Sequence, residues 1–419
     1  MRSNMPAAAL AASLGVAAMA LPHAAHAQST ADIAELRAQI AALETRLNQL
    51  QAQAERQSGN NATQAQARAT PDAKKTDSDV DALTKLVNNT QISNRMYSDI
   101  TNVDKKVGNT KIDPTGVSFD IKRFYVGIDH KFNDMWAMNF TTDFLYNSTS
   151  GASQLYIKKA YIEAKVSPLL KVRFGADDLP WILYSEGIYN YRWVEKTLSN
   201  NLGQEIGADW GIHASGAVPS GVFSYSASVI NGSGYKSAPD NGTNNRSKGM
   251  DFEGRIGFQA FSHLNIGVGG YVGKRGKDTY ANGASTTNEV NTASRVNALI
   301  AYTEDKFRVG VEWFEAKDYA NPFMSIGATS VKQGGYSAFG NVALTQTNIN
   351  LFARYDRANL NKDAALNPSY TYYNVGVEFP ITKGVKIAPV YKHTEQDGAT
   401  AGTDKTRINE FGVFGEFRF

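Results

Sequence analysis

Phe411-Gly-Val-Phe-Gly-Glu-Phe-Arg-Phe419 is the stretch that decides the fold. Read as an extended strand, Phe411, Val413, Phe417 and Phe419 share one parity, while Glu416 and Arg418 lie on the other. Successive strand side chains point to opposite faces, so one face is apolar and the other charged. The sequence closes on an aromatic residue. The same alternation recurs upstream, from Ile92–Asn102 onward, giving about sixteen segments that end with Thr406–Phe419. Short alternating segments, apolar toward lipid and polar toward a lumen, predict an all-β transmembrane protein built as a 16-stranded antiparallel β-barrel.

The connections support this. Short turns follow the even segments: Phe132–Asp134, Ser167–Leu169, Pro219–Gly221, Phe261–His263, Glu304-Asp305, Gln346-Thr347 and Pro380–Gly384. Longer loops rich in Gly, Asn, Ser and Thr follow the odd ones. Such a rhythm fits a barrel with short periplasmic turns and long outer loops, and places both barrel termini in the periplasm. A soluble sandwich is the competing reading. It would have to bury Trp136, Phe140, Phe144, Phe252, Phe258, Val309 and Trp313 in one core.

Residues 1–27 read as a signal peptide. Arg2 gives a positive start, Ala7–Leu21 is apolar, and Ala25-His26-Ala27 is a small-x-small cleavage pattern. No later window approaches about 20 consecutive apolar residues, which excludes helical spans. There is no cysteine, hence no disulfide and no cysteine-ligated metal. Mean hydropathy is −0.36, with 20 Tyr, 20 Phe and 36 Gly, as expected where alternate residues face water. A net charge of +3 is too small to indicate nucleic-acid binding.

Residues 28–57 predict a periplasmic coiled-coil helix. Ile33, Leu36, Ile40, Leu43, Leu47, Leu50 and Ala54 alternate spacings of three and four, with Arg37, Glu44 and Arg46 on the flanks. One amphipathic helix lying on a globular domain is the other reading. Residues 58–90 read as a flexible linker with a short helix near Val80–Val87, and residues 91–419 as the barrel.

At about 16–18 strands a barrel encloses an aqueous channel, so selectivity falls to whatever narrows and lines it. The third outer loop, about Asp178 to Gly207, is too apolar to stay in water. The expectation is an inward fold, with Trp181, Tyr184, Tyr189, Tyr191 and Trp193 packing on the wall or edging the channel, and Glu186, Arg192, Glu195 and Lys196 setting the field. Capping the outer mouth, or packing on a neighbouring subunit, remains open. Strand parity turns Arg123, Lys159, Lys171, Arg173 and Arg255 inward, and Asp177 with them. Lys159, Lys171 and Arg173, on adjacent strands beside the loop, are the candidates for a basic wall. Lumen charges that only cross-link the wall are the alternative for each.

The stretch Lys122-Arg-Phe-Tyr-Val-Gly-Ile-Asp-His-Lys-Phe132, then Trp136, Thr142-Asp-Phe144, Lys159-Ala-Tyr-Ile-Glu163 and Val172-Arg-Phe-Gly175, resembles the phosphate-selective porin O/P family of Gram-negative outer membranes. The resemblance covers about Ile92 to Phe419. It implies a trimeric porin with an inward third loop, set in outer-membrane lipid and passing small hydrophilic solutes or inorganic anions such as phosphate. Phe419 resembles the signal read by the barrel-insertion machinery. The family's phosphate-specific members carry an arginine ladder and a lysine cluster, whereas this lumen is mixed in sign and its third loop holds Asp178, Glu186, Glu195 and Glu205. A carbohydrate-preferring porin, using the loop's aromatic faces, is the alternative. The coiled coil offers a cell-wall contact.

No catalytic residues, cofactor or metal site are expected. Asp209, His213 and Ser215 share a parity; residues two apart stand about 6.5–7 Å apart at Cα, which lets His213 meet Ser215 but leaves Asp209 one residue pair too far for a relay. No Gly-x-Ser-x-Gly elbow exists. His130, His213, His263 and His393 lie on separate segments.

Overall fold

In the computed structural model the period-two segments pair edge to edge and close on themselves. The structure describes residues 41–42, 45–46, 48–53 and 71–419, except 148–151, 238–246, 283–285, 320–329, 345–347 and 399–403. The signal segment and most of the heptad run lie outside the described residues. The chain divides into two units, residues 1–83 and 84–419. In the first, residues 41–42, 45–46 and 48–53 are helical and Leu50 is exposed. Helix α1 (Pro71–Asn89) is longer than the short helix expected near Val80–Val87 and occupies much of the stretch read as linker.

Sixteen strands build the second unit. They are β1 (Thr90–Val107), β2 (Gly116–Lys131), β3 (Trp136–Asn147), β4 (Ala152–Ser167), β5 (Leu170–Asp178), β6 (Ala208–Ala217), β7 (Phe223–Ile230) and β8 (Asp251–Ala260). Then follow β9 (Leu264–Gly273), β10 (Ala293–Thr303), β11 (Phe307–Lys317), β12 (Lys332–Ala343), β13 (Asn350–Asn359), β14 (Ser369–Thr382), β15 (Val385–Gln396) and β16 (Thr406–Arg418). Every strand is antiparallel to its sequence neighbours, and β16 returns to β1 with Met96 opposite Phe417 and Asp99 opposite Phe414. Closure leaves no free edge, which satisfies the backbone of a sheet that stands in lipid. All sixteen expected segments are present. A two-residue strand, Thr110–Lys111, and a hairpin, Thr279–Asn282 with Thr286–Glu289, decorate the long loops.

The two faces separate as alternation requires. Phe119, Phe174, Ile212, Val309, Trp313, Phe411 and Val413 are exposed on the outside. Asp143, Glu253, Arg295, Glu312, Arg354, Asp356 and Lys392 are buried inside. Phe414, of the same parity as Glu416, is also buried inside, beneath the ammonium groups of Lys392 (4.1 Å from its ring centre) and Lys122 (4.5 Å).

Two bulges interrupt the alternation where it matters. On β2 the register with β1 skips Lys122, between the pairs Tyr97–Arg123 and Ser98–Ile121. On β4 the register with β3 skips Lys158, between Thr141–Lys159 and Thr142–Ile157. An extra residue lets two consecutive side chains share a face. Lys122-Arg123 and Lys158-Lys159 therefore both face the lumen as pairs.

Candidate functional site: the lumen and its third loop

The third outer loop, residues 179–207, lies within the barrel against the inner faces of β8–β16. Its first half is α2 (Pro180–Tyr189). Proline at the start suits a helix, since the missing N–H would have no helical partner there. Asn190, in the left-handed region at φ 66°, closes it. The free N–H groups of the first turn meet acid: Trp181 N donates to Glu253 at 3.0 Å, and the indole Nε1 donates to Glu312 at 2.8 Å.

β9 explains how this helix seats. Its lumen-facing positions include Gly267 and Gly269. A Cβ at Gly269 would lie 2.5 Å from the Trp181 ring, and one at Gly267 would lie 2.3 Å from the Tyr184 ring. The missing side chains form the trough the two aromatics fill. Arg255 stacks over the other side of Tyr184 at 4.5 Å.

The second half is fixed by aromatic stacking and by guanidinium groups reaching backbone carbonyls. Tyr191 stacks on Phe352 with centroids 4.2 Å apart, and Tyr189 meets Phe339 edge-on at 5.3 Å. Arg354 donates to Lys196 O and Arg295 to Gln204 O, while each also pairs with a wall carboxylate, Asp356 and Glu253. Lys392 reaches Glu195 at 3.3 Å. A short helix, α3 (Leu198–Asn201), follows, its Ser199 hydroxyl donating to Glu205 at 2.7 Å. Burial pushes the Glu205 carboxyl up to about 8, against the lowering effect of Arg295. Trp181 and Trp193 are 0 % and 2 % exposed, so these two rings present no free face to a passing solute.

A cavity of about 1060 Å³ remains on the other side, between the loop and the wall of β1–β4. Nine cations line it: Arg95, Arg123, Lys158, Lys159, Arg192, Lys196, Lys236, Lys383 and Arg418. Four carboxylates join them: Asp129, Asp178, Glu186 and Glu205. Asp178 is held between Lys158 at 2.8 Å and Lys159 at 3.6 Å. Glu186 pairs with Arg192 within the loop at 2.6 Å. Arg123 pairs with Asp143, which also accepts from the Tyr235 hydroxyl. Among the described residues Lys196 and Lys236 form no ion pair. Burial and the Arg192 charge hold Lys196 below the usual lysine range. Lys236 opens on the cavity, yet partial burial and then the Arg123 charge push it down to about 8.

Of the expected site residues, Arg123, Lys159, Asp178, Glu186 and Arg192 meet at this cavity. Trp181, Tyr184 and Trp193 belong to the packing behind it. Lys171, Arg173 and Asp177 do not join Lys159: Arg173 lies between Glu163 and Asp177, each at 2.7 Å, and Lys171 reaches Glu163 at 3.8 Å. Arg255 sits under α2, donating to Ser224 at 3.0 Å. Three lining cations, Lys158, Lys236 and Lys383, escaped the sequence reading. The Lys158-Lys159 doublet was a usable sign of a bulge; Lys236, on the fourth loop, follows no period. The Asp209, His213 and Ser215 trio makes no relay: the His213 ring nitrogens meet Ser228 Oγ (2.8 Å) and Gly175 O (3.2 Å), and Asp209 accepts from backbone N–H groups.

No protein-family model matches the sequence, and no curated protein matches it. Solved structures match the fold. OprB of Pseudomonas putida, in a high-pH structure, superposes with a TM-score of 0.55 at 11% identity, over 81% of this chain and 96% of that one. The outer membrane channel DcaP of Acinetobacter baumannii gives 0.53 at 12%, over 79% and 97%. An anion-selective porin from Comamonas acidovorans gives 0.52 at 11%, over 79% and 99%. At these identities the likeness is one of fold: a closed barrel of outer-membrane type.

Proposed function

We propose that this chain is an outer-membrane porin whose third loop narrows a water-filled channel with a preference for small anions. The cation excess around the cavity between the third loop and β1–β4 carries this reading. Neither Lys196 nor Lys236 has a carboxylate partner among the described residues, so their fields reach into the water that a solute crosses. A lumen lined by one sign of charge, between low-dielectric walls, concentrates ions of the other sign. The passage requires no chemical step, only size and charge. The short turns would face the periplasm, together with Thr90 and Phe419, and the coiled-coil segment would lie there too.

Phosphate is one candidate among such anions. The test is a reversal potential across planar bilayers holding the purified protein under a KCl gradient. The expected sign is that of chloride permeating faster than potassium, with phosphate added afterwards as a blocker. A cation-selective channel would overturn the reading.

A further inference from the structure

At the outer ends of β1, β15 and β16 opposite charges neutralise one another, Asp104 taking Lys106 and Lys111 at 3.3 and 3.2 Å. On β15 and β16, Glu395 takes Lys405 at 2.8 Å and Arg407 at 3.0 Å, and Asp397 takes Lys405 at 3.2 Å. The outer ends of β11–β13 differ. Lys317 and Lys332 stand directly opposite each other in the register, both on the lipid-facing parity and both exposed. Neither forms an ion pair among the described residues. Like charges facing each other across a sheet are destabilising, so an anion placed between them would be favourable.

Two more cations crowd the same face. Arg357, opposite Tyr336, spends one guanidinium nitrogen on the Thr371 hydroxyl. Lys362 crosses Gly334, where a Cβ would lie 2.7 Å from its Nζ, and pairs with Glu315 at 2.7 Å. Asp318, next to Lys317, turns its carboxylate to Val331 N (3.0 Å) and Ser330 Oγ (3.1 Å).

Below Lys317 and Lys332 runs an aromatic row, with Arg357 beside Tyr336 at its level. Trp313 faces Tyr336, the Tyr336 and Tyr355 rings lie 6.4 Å apart, and Tyr355 faces Tyr373. Below the aromatics the surface is aliphatic, with Val309, Val311, Leu351 and Val375 exposed. Read from mid-membrane outward, the sequence of chemistries is aliphatic, aromatic, cationic. An amphiphile with acyl chains and an anionic head shows the complementary order. A free anion would not use the apolar part.

We propose that the outer ends of β11–β13 bind a phosphorylated lipid of the outer leaflet, its phosphate between Lys317 and Lys332 and its acyl chains along the belt beneath Trp313 and Tyr336. This rests on the barrel standing in an outer membrane, and is independent of the channel's selectivity.

Native mass spectrometry of the detergent-solubilised full chain tests it, with diphosphoryl lipid A, phosphatidylcholine and inorganic phosphate as probes. The wild type should retain lipid A in preference to phosphatidylcholine. The Lys317→Gln/Lys332→Gln variant should lose that retention by at least about tenfold, and Lys405→Gln should keep it. The charge-conserving Lys317→Arg/Lys332→Arg variant should also keep it, which separates lost binding from lost folding. Equal retention by the glutamine variant, equal retention of phosphatidylcholine, or displacement of lipid A by inorganic phosphate would each overturn the proposal. So would a glutamine variant that changes oligomeric state while keeping the lipid, since the patch would then belong to a second copy of the chain.

Discussion

The lumen has two walls made by the same alternation, and they put their cations to different uses. Along β8–β16 the third loop covers the wall, and Arg295, Arg354 and Lys392 are consumed in holding it, each on a loop carbonyl or carboxylate. Along β1–β4 the third loop stands off the wall, only Tyr235 and Lys236 of the fourth loop reach it among the described residues, and Arg95, Arg123, Lys158 and Lys159 face the cavity. Strand parity makes no distinction between these groups. An inward arginine is a structural clamp or part of an ion path according to whether a loop lies over it, so a list of lumen charges is no guide to selectivity until the covered half has been removed from it.

The largest test of that division is to take the cover away. Deleting Ser185–Lys196 should raise single-channel conductance several-fold in bilayers, because the covered half of the lumen opens. Unchanged conductance in a folded barrel would show that the loop does not narrow the path. Next in size is Trp181→Ala. It empties the trough over Gly269 and removes the donor to Glu312, and should lower stability by about 3–5 kcal/mol, measured by denaturant unfolding in detergent micelles. The open wall should respond in selectivity. Lys158→Gln/Lys159→Gln should shift the reversal potential strongly toward cations, since Asp178 would be left facing the cavity without partners, with a loss of stability of the kind expected for any stranded carboxylate.

How much of this division the sequence carried can be read from particular residues. Period two in Phe411–Phe419 and its repeats depends only on local alternation, so all sixteen strands were legible, as were the short turns that fall among the described residues. The inward third loop was legible too, because Trp181, Tyr189, Tyr191 and Trp193 are too many large rings to leave in water. The side on which that loop rests was not. It is decided by long-range fit to Gly267 and Gly269, and a glycine in a strand can equally mark a bulge or a bend. The bulges at Lys122 and Lys158 shift the register by one residue, and their only trace in the sequence is a doublet of adjacent basic residues. Arg173 failed as a wall cation for a different reason. Its parity was right, but Glu163 and Asp177 neutralise it, and pairing between strands is invisible until the register is known.

Smaller effects sharpen the open wall. Lys236 is charged below about 8 and neutral above it. Raising the pH from about 7 to about 9 should therefore reduce anion preference, whereas a lysine with its ordinary value near 10.4 would hold its charge throughout. Lys236→Gln should have the reduced preference already at pH 7 and lose the titration. A step that survives in that variant would assign it to another group, with Lys196, also held low, the next to replace.

Arg173→Gln is the control with the smallest expected effect on transport. The side chain is absent from the cavity lining, and its charge is matched by two carboxylates at 2.7 Å. Removing it leaves Glu163 with Lys171 at 3.8 Å and Asp177 without its partner, so stability should fall while the reversal potential moves little. A shift as large as that of the Lys158/Lys159 variant would mean that ions sense charge on β5 as strongly as charge on β4. The contrast between a clamped and an open wall would then have to give way to a field averaged over the whole lumen.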